Sequence, residues 1–393
     1  MVLAFLVLGQ LQGPDPSGPW RGVLDLSGAT LPFRIEVAAD SAARRWTGQL
    51  CNGSACDRIS SVEWRSDSLL FDIADYDAQI VAALHGDSLM GSYRNVGNRG
   101  PRTIPFRAAR GRWPAEPAGD ALARSWDAWF EAGGGRMSPR VIRLWNTGDG
   151  VEGTLIGNSG DSGLFWGGAR GDSLWLARFD GSYVYLITAR LDGDTLRGIF
   201  HAGLRGRTPF TAVPTTGRPH LTAPTEVTRA DTGRFVFDFP DLEGRRVTQD
   251  DPRFRNKVVL VDVFGTWCPT CHDAAPVLVR LHREYRARGV EIVGLGYEVT
   301  GDTTVDNRQL RRYREKHGIE FPLLLAGLNE TELTAATLPQ LHNFTAYPTT
   351  LFLDRRGRIR RVHAGFYGPA TGAQHTRLVA DFRAEIERLL AEP

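Results

Sequence analysis

One apolar run constrains this chain more than any other stretch. Val258-Val259-Leu260-Val261-Asp262-Val263-Phe264 contains a single polar residue and ends just before Trp267-Cys268-Pro269-Thr270-Cys271. A run of that kind reads as a strand buried on both faces, as in a parallel sheet covered by other layers. Pro269 suits the first position of a helix, where its missing N–H is no loss. The two thiols then lie one helical turn apart at the end of a strand. Unpaired N–H groups and the positive end of the helix dipole favour a thiolate at Cys268. Cys271 lies on the same face one turn deeper, within reach of a disulfide. Such a pair suits reversible disulfide exchange, in which the outer sulfur attacks and the inner one resolves the mixed disulfide.

Asp262 sits in the run six residues before Cys268. A buried carboxylate is costly and needs a reason. One reason is to take the proton of Cys271, helped by a raised pKa; the other reading is an aspartate turned to solvent or capping a neighbour. Pro276 is expected to kink the helix that begins at Cys268. Ala274, Leu278, Leu281 and Tyr285 keep helical spacing and read as its buried face. Further on, Tyr347-Pro348-Thr349-Thr350 opens a strand, and a cis peptide there would present the backbone of Tyr347 to an incoming chain.

From Phe235 onwards, strands alternate with helices. Strands are expected at 257–264, 291–295, 321–325, 349–353 and 359–364, with helices at 268–288, 307–317, 329–341 and 373–390. A hairpin turn falls at Asp354-Arg355-Arg356-Gly357, and a leading hairpin at Phe235–Arg245. The alternation indicates an α/β sheet with helices on both faces.

These features resemble the thioredoxin superfamily, and within it the TlpA/ResA-like extracytoplasmic thiol-disulfide oxidoreductases. The resemblance rests on Phe264-Gly265-Thr266-Trp267-Cys268-Pro269-Thr270-Cys271, Pro276, Tyr347-Pro348-Thr349-Thr350, the hairpin at Asp354–Gly357 and Phe239-Pro240-Asp241-Leu242-Glu243-Gly244. It covers about residues 230 to 393. It implies Cys268 as nucleophile, Cys271 as resolving thiol, Pro348 as the cis-proline beside them and Asp262 as the buried acid. Trp267, Pro269, Thr270 and Tyr347 would support them. Many relatives carry a glutamate three residues after the second cysteine, where this chain has Ala274. The region Ala326–Phe344 looks longer than in a minimal thioredoxin. Glu298, after the strand that ends near Leu295, is a candidate second acid, against an ordinary loop carboxylate.

The first half of the chain contains a repeat. Arg65-Ser66-Asp67-Ser68-Leu69 is echoed by Arg170-Gly171-Asp172-Ser173-Leu174. Gly86-Asp87-Ser88-Leu89 is echoed by Gly193-Asp194-Thr195-Leu196, and Thr103-Ile104-Pro105-Phe106 by Arg207-Thr208-Pro209-Phe210. The offset is about 105 residues, so each copy spans roughly 90 to 100. Alternating runs divided by Gly-Asp and Asp-Gly turns make each copy an antiparallel meander, and the two form a barrel or a sandwich. A short helix is expected at Ala121–Phe130, ended by Gly133-Gly134-Gly135. Trp20, Trp64, Trp166 and Trp175 either fill β cores or line a pocket. The resulting division is a signal-like segment at 1–15, β-repeats at 18–112 and 121–213, a linker at 214–233 and an α/β domain at 234–393.

The chain has four cysteines, all in close pairs. Cys51-Asn52-Gly53-Ser54-Ala55-Cys56 encloses a turn and reads as a structural disulfide, with a second redox pair as the other option. A spare pair beside a redox CxxC points to an oxidising compartment, periplasmic or otherwise extracytoplasmic. The apolar N-terminus agrees, although it lacks a positive leader and is too short to span a bilayer. It leaves membrane anchoring open, but no cysteine follows it to carry a lipid.

The net charge of +2 makes no case for nucleic acid. The expected partners are protein thiols or disulfides and a thiol electron donor, with any ligand of the β-domain unknown. No organic cofactor or metal is expected, since Cys268 and Cys271 have only His272 nearby to complete a zinc site. Two other functions compete with this one. A peroxiredoxin-like peroxidase would need a Pro-x-x-x-Thr-x-x-Cys setting that the stretch lacks. Alternatively, the β-domain is the working part, binding a lipid, glycan or protein, with the redox domain as its accessory.

Overall fold

Along most strands of the first half, inward apolar residues alternate with outward polar ones. Leu31, Phe33, Ile35 and Val37 of Ala29–Asp40 are buried while their neighbours are not. In the computed structural model, which describes residues 13–40, 42–43, 45–96, 101–217 and 220–392, this alternation produces two closed barrels. Eight antiparallel strands between Gly18 and Arg110 pair in sequence order, and the last closes on the first from Trp20↔Arg110 to Leu24↔Phe106. Eight more between Ser125 and Pro214 repeat the plan and close through Phe210↔Phe130. Closure leaves neither sheet an open edge. The repeated Gly-Asp pairs are equivalent hairpin turns: Gly86 and Gly193 have φ of 59° and 58°, the left-handed backbone that such two-residue turns demand.

The expected helix at 121–130 does not form. Ser125–Glu131 is instead the strand that closes the second barrel, with Trp126, Ala128 and Phe130 turned inwards. Pairing with strands on both sides and period-2 burial override the local helix propensity. The barrels pack on one another. Phe179 of the second lies 4.5 Å from Phe33 and 5.0 Å from Tyr93 of the first. The signal-like segment lies outside the described residues up to residue 12.

After the barrels comes a five-stranded sheet in the order Leu323–Leu328, Val290–Glu298, Val258–Phe264, Thr349–Leu353, Ile359–Ala364. The first three run parallel and the last two antiparallel to their neighbours. Every residue of the central strand is buried. Val258, Leu260 and Phe264 face the helices Pro269–Tyr285, Thr303–His317 and Ala373–Leu390. Val259, Val261 and Val263 face Phe235, Phe237, Phe254 and Leu338. By the two-residue period of a strand, Asp262 points to the same side as the CxxC helix.

Several boundaries differ from expectation. The helix expected at 307–317 begins at Thr303, because the Asp302 side chain accepts from the N–H groups of Thr304 and Val305. The one expected at 329–341 is confined to Thr331–Thr337. Within 214–233, Thr228 is fully buried and Arg229–Ala230 pairs with Leu341–His342, so part of that stretch belongs to the domain.

Candidate active site

Cys268 is the N-cap of the helix Pro269–Tyr285, as the fixed φ of Pro269 and the local N–H groups dictate. Its Sγ accepts from the N–H of Cys271 at 3.4 Å and donates towards the carbonyl of Tyr347 at 3.7 Å. Both cysteines are free thiols. Burial first, and then the neighbouring Cys268 sulfur, push the Cys271 thiol well above its ordinary value. The Tyr347–Pro348 peptide is cis. The Trp267 indole donates to the Tyr297 carbonyl at 2.9 Å, and its ring meets that of Tyr347 edge-on at 5.4 Å. Trp267, Cys268, Pro269, Thr270, Cys271, Tyr347 and Pro348 therefore form one cluster.

Asp262 lies under it, 4% exposed. Its Oδ1 has no hydrogen-bond partner among the described residues. Burial pushes its carboxyl up to about 7, and its charge contributes to raising Cys271. Tyr313 covers the same space: its hydroxyl donates to the Cys271 carbonyl at 2.8 Å and its ring stacks on Phe264.

Two further side chains brace the active-site loop. Glu298, the candidate second acid, is buried beside the active-site loop, where its oxygens accept from the Thr266 N–H at 2.9 Å and hydroxyl at 2.6 Å. Burial pushes this carboxyl up to about 8. His272 bridges the carbonyl of Thr266 at 2.8 Å and the Nε2 of His317 at 2.9 Å. Burial lowers both imidazoles, His317 to about 4, so the pair is neutral. This contact fits His272 Nε2–H donating to Thr266 while its Nδ1 accepts from His317.

The second barrel also reaches the site. Ser182 donates to the Trp267 carbonyl at 2.7 Å, and the Tyr183 hydroxyl lies 3.3 Å from that of Thr270. Cys268 is left only 3% exposed. Elsewhere, Cys51 and Cys56 are joined as a disulfide across the hairpin of Arg45–Asn52 and Ala55–Arg65. Trp20 and Trp166 are buried in the β region. Trp64 is partly buried against the first barrel's core. Trp175 faces a cleft of about 970 Å³ between the barrels, opposite Arg21 and Trp113.

The AhpC/TSA family matches residues 234–362. A thiol-disulfide oxidoreductase ResA from Halalkalibacterium halodurans is 27% identical over 138 residues, 35% of this chain and 69% of the relative. A second ResA, from Geobacillus thermodenitrificans, is 29% identical over 143 residues, 36% of this chain and 74% of the relative. The crystal structure of a thiol:disulfide interchange protein of the thioredoxin family from Chlorobium tepidum TLS is 22% identical, covering 42% of this chain and 98% of that one at a TM-score of 0.32. With so low a score, the fold assignment rests on the sheet order and helix placement described above. The sequence similarity to ResA falls on the C-terminal region, whose fold is thioredoxin-like.

Proposed function

We propose that this protein is an extracytoplasmic thiol-disulfide oxidoreductase that reduces disulfides of protein clients. The observation that carries the reading is the placement of Cys268 at the helix N-cap, with Cys271 one turn on and the cis Tyr347–Pro348 peptide alongside. The Cys268 thiolate attacks one sulfur of a client disulfide. A Cys268–client bond forms, and the other client sulfur leaves as a thiolate that takes a proton from solvent. Asp262 then accepts the proton of Cys271, whose sulfur attacks Cys268 and expels the second client thiolate. The client gains two electrons and the chain is left with a Cys268–Cys271 disulfide, which an external thiol donor reduces. The two sulfurs carry the electrons, without a metal or organic cofactor. The Cys51–Cys56 disulfide supports an oxidising compartment.

Insulin reduction tests the assignment. Cys268→Ser is expected to abolish it, and Cys271→Ser to accumulate a mixed disulfide with the client. Full turnover by Cys268→Ser would refute the assignment. The AhpC/TSA match makes peroxide the competing oxidant. Faster turnover of hydrogen peroxide than of insulin by the reduced protein would favour a peroxidase instead.

A further inference from the structure

Disulfide exchange with a protein needs an extended chain to reach Cys268, and two turns of the second barrel stand where it would enter. The first joins Gly150–Gly157 to Gly160–Arg170. Here Gly160 bridges in parallel to Phe366, and the Asp161 N–H donates to the Phe366 carbonyl at 3.3 Å. The Asp161 carboxylate accepts from the N–H of Gly368 at 2.5 Å, and its carbonyl accepts from the Thr270 hydroxyl at 3.3 Å. The approach is close enough to require glycine on both sides. A Cβ on Gly160 would fall 2.0 Å from the Phe366 oxygen, and one on Gly365 would fall 1.7 Å from the Ser159 oxygen.

The second turn joins Ser173–Phe179 to Val184–Asp192 and carries Ser182 and Tyr183 onto Trp267 and Thr270. It is braced from behind by the first barrel. The Tyr93 hydroxyl donates to the Gly181 carbonyl at 2.8 Å, the Arg102 guanidinium to that of Ser182, and the Asn52 amide to that of Phe179. The first barrel touches the redox domain as well: Lys316 pairs with Asp75 at 2.6 Å, and Gln309 donates to the Ala74 carbonyl. Both barrels thus bear on the redox domain as one body. Phe366 follows Gly365, whose N–H donates to the Pro348 carbonyl at 2.6 Å, and Trp267 precedes Cys268, so both turns cover backbone that borders the thiol and the Tyr347–Pro348 segment.

We propose that the two barrels form a built-in cap, whose turns at 158–161 and 180–183 occupy the client's place, so that a protein disulfide reaches Cys268 only after the cap withdraws. This rests on the thiol-exchange reading above.

The test uses the full reduced chain and compares Cys268 alkylation by iodoacetamide with that by a polymer-linked maleimide. Insulin reduction is followed in parallel. Ser182→Arg forces a much longer side chain into the 2.7 Å contact with the Trp267 carbonyl and is expected to raise both the polymer-to-small-reagent rate ratio and insulin reduction about tenfold. Ser182→Ala with Tyr183→Phe adds no bulk, so it guards against misfolding, and is expected to raise both about threefold. Wild type labelled equally fast by both reagents, with neither variant changing that, would overturn the cap even if insulin is still reduced. Variants that label faster yet never reduce insulin would uphold the cap and overturn the redox reading.

Discussion

Asp262 is held half-protonated near neutral pH by its surroundings. The unfolded chain ionises this carboxyl near 3.8, whereas the fold does so at about 7. The folded state therefore binds the extra proton, and its stability falls as pH rises from about 3.8 through about 7. The total loss is on the order of 4 kcal/mol. Asp262→Asn is expected to raise the denaturant midpoint at pH 8, to change it little at pH 4, and to slow resolution of the mixed disulfide. Denaturation at the two pH values, with the decay rate of the Cys268–client bond, checks both halves. An unchanged pH–rate profile would remove Asp262 from the mechanism, and an unchanged midpoint at pH 8 would contradict its burial. The position was legible in the sequence because one acid interrupts an apolar strand, and a two-residue period carries its side chain to the face of the CxxC helix. The lack of a partner for Oδ1 among the described residues was not legible, since it depends on Tyr313 being brought over it from the helix Thr303–His317.

The end of the strand Val290–Glu298 governs how the active-site loop is presented. Glu298 braces Thr266, and Thr266 fixes the backbone that carries Trp267 and Cys268. With its carboxyl pushed up to about 8, Glu298 is mostly neutral at pH 7. An amide can accept from the Thr266 N–H in the same way, so Glu298→Gln is expected to stay within about 1 kcal/mol of wild type near pH 4, where the carboxyl is largely protonated both folded and unfolded. It should become the more stable form as pH rises from about 4.5 through about 8, where the unfolded chain has released this proton and the fold still holds it. Thr266→Val removes the 2.6 Å contact and strands a buried oxygen, at a cost of about 1–3 kcal/mol. Thermal melts at pH 4, 7 and 9 measure both changes. A Glu298→Gln protein much weaker than Thr266→Val at pH 7 would mean that Glu298 is ionised in the fold. Elements were legible where pattern and turn chemistry agreed, as at Thr349–Leu353, Ile359–Ala364 and the repeated Gly-Asp turns. They were misread where pairing partners far along the chain decided the outcome. Ser125–Glu131 is a strand because Met137–Thr147 and Gly206–Pro214 flank it, and neither partner can be inferred from its own residues.

The repeat made two similar meanders legible, and closure into two barrels follows from pairing the last strand of each with its first. Their seating over the redox site was not legible. Ser182 and Trp267 lie 85 residues apart, and no local pattern announces the contact. That seating gathers a cluster of charges, buried at Asp161, Arg178 and Asp180 and reaching the surface at Asp57 and Lys316. Asp273 of the CxxC helix faces Asp161, Asp180 and Arg178 of the second barrel and Asp57 of the first. Lys316, Asp75 and the neutral pair His272 and His317 lie beside it. Burial raises Asp273 to about 7; Arg178 opposes the shift, and the three other carboxylates add to it. Burial also raises Asp161. The docked arrangement thus binds protons that a separated one releases, so docking weakens as pH rises from about 3.8 through about 7. Small-angle scattering is expected to show a larger radius of gyration at pH 8.5 than at pH 5.5. Asp273→Asn removes the titrating group and is expected to keep the radius at pH 8.5 close to the value at pH 5.5. If wild type keeps one radius across that range, the carboxylate cluster does not control the docking. If Asp273→Asn expands as wild type does, another of the named carboxylates carries the effect.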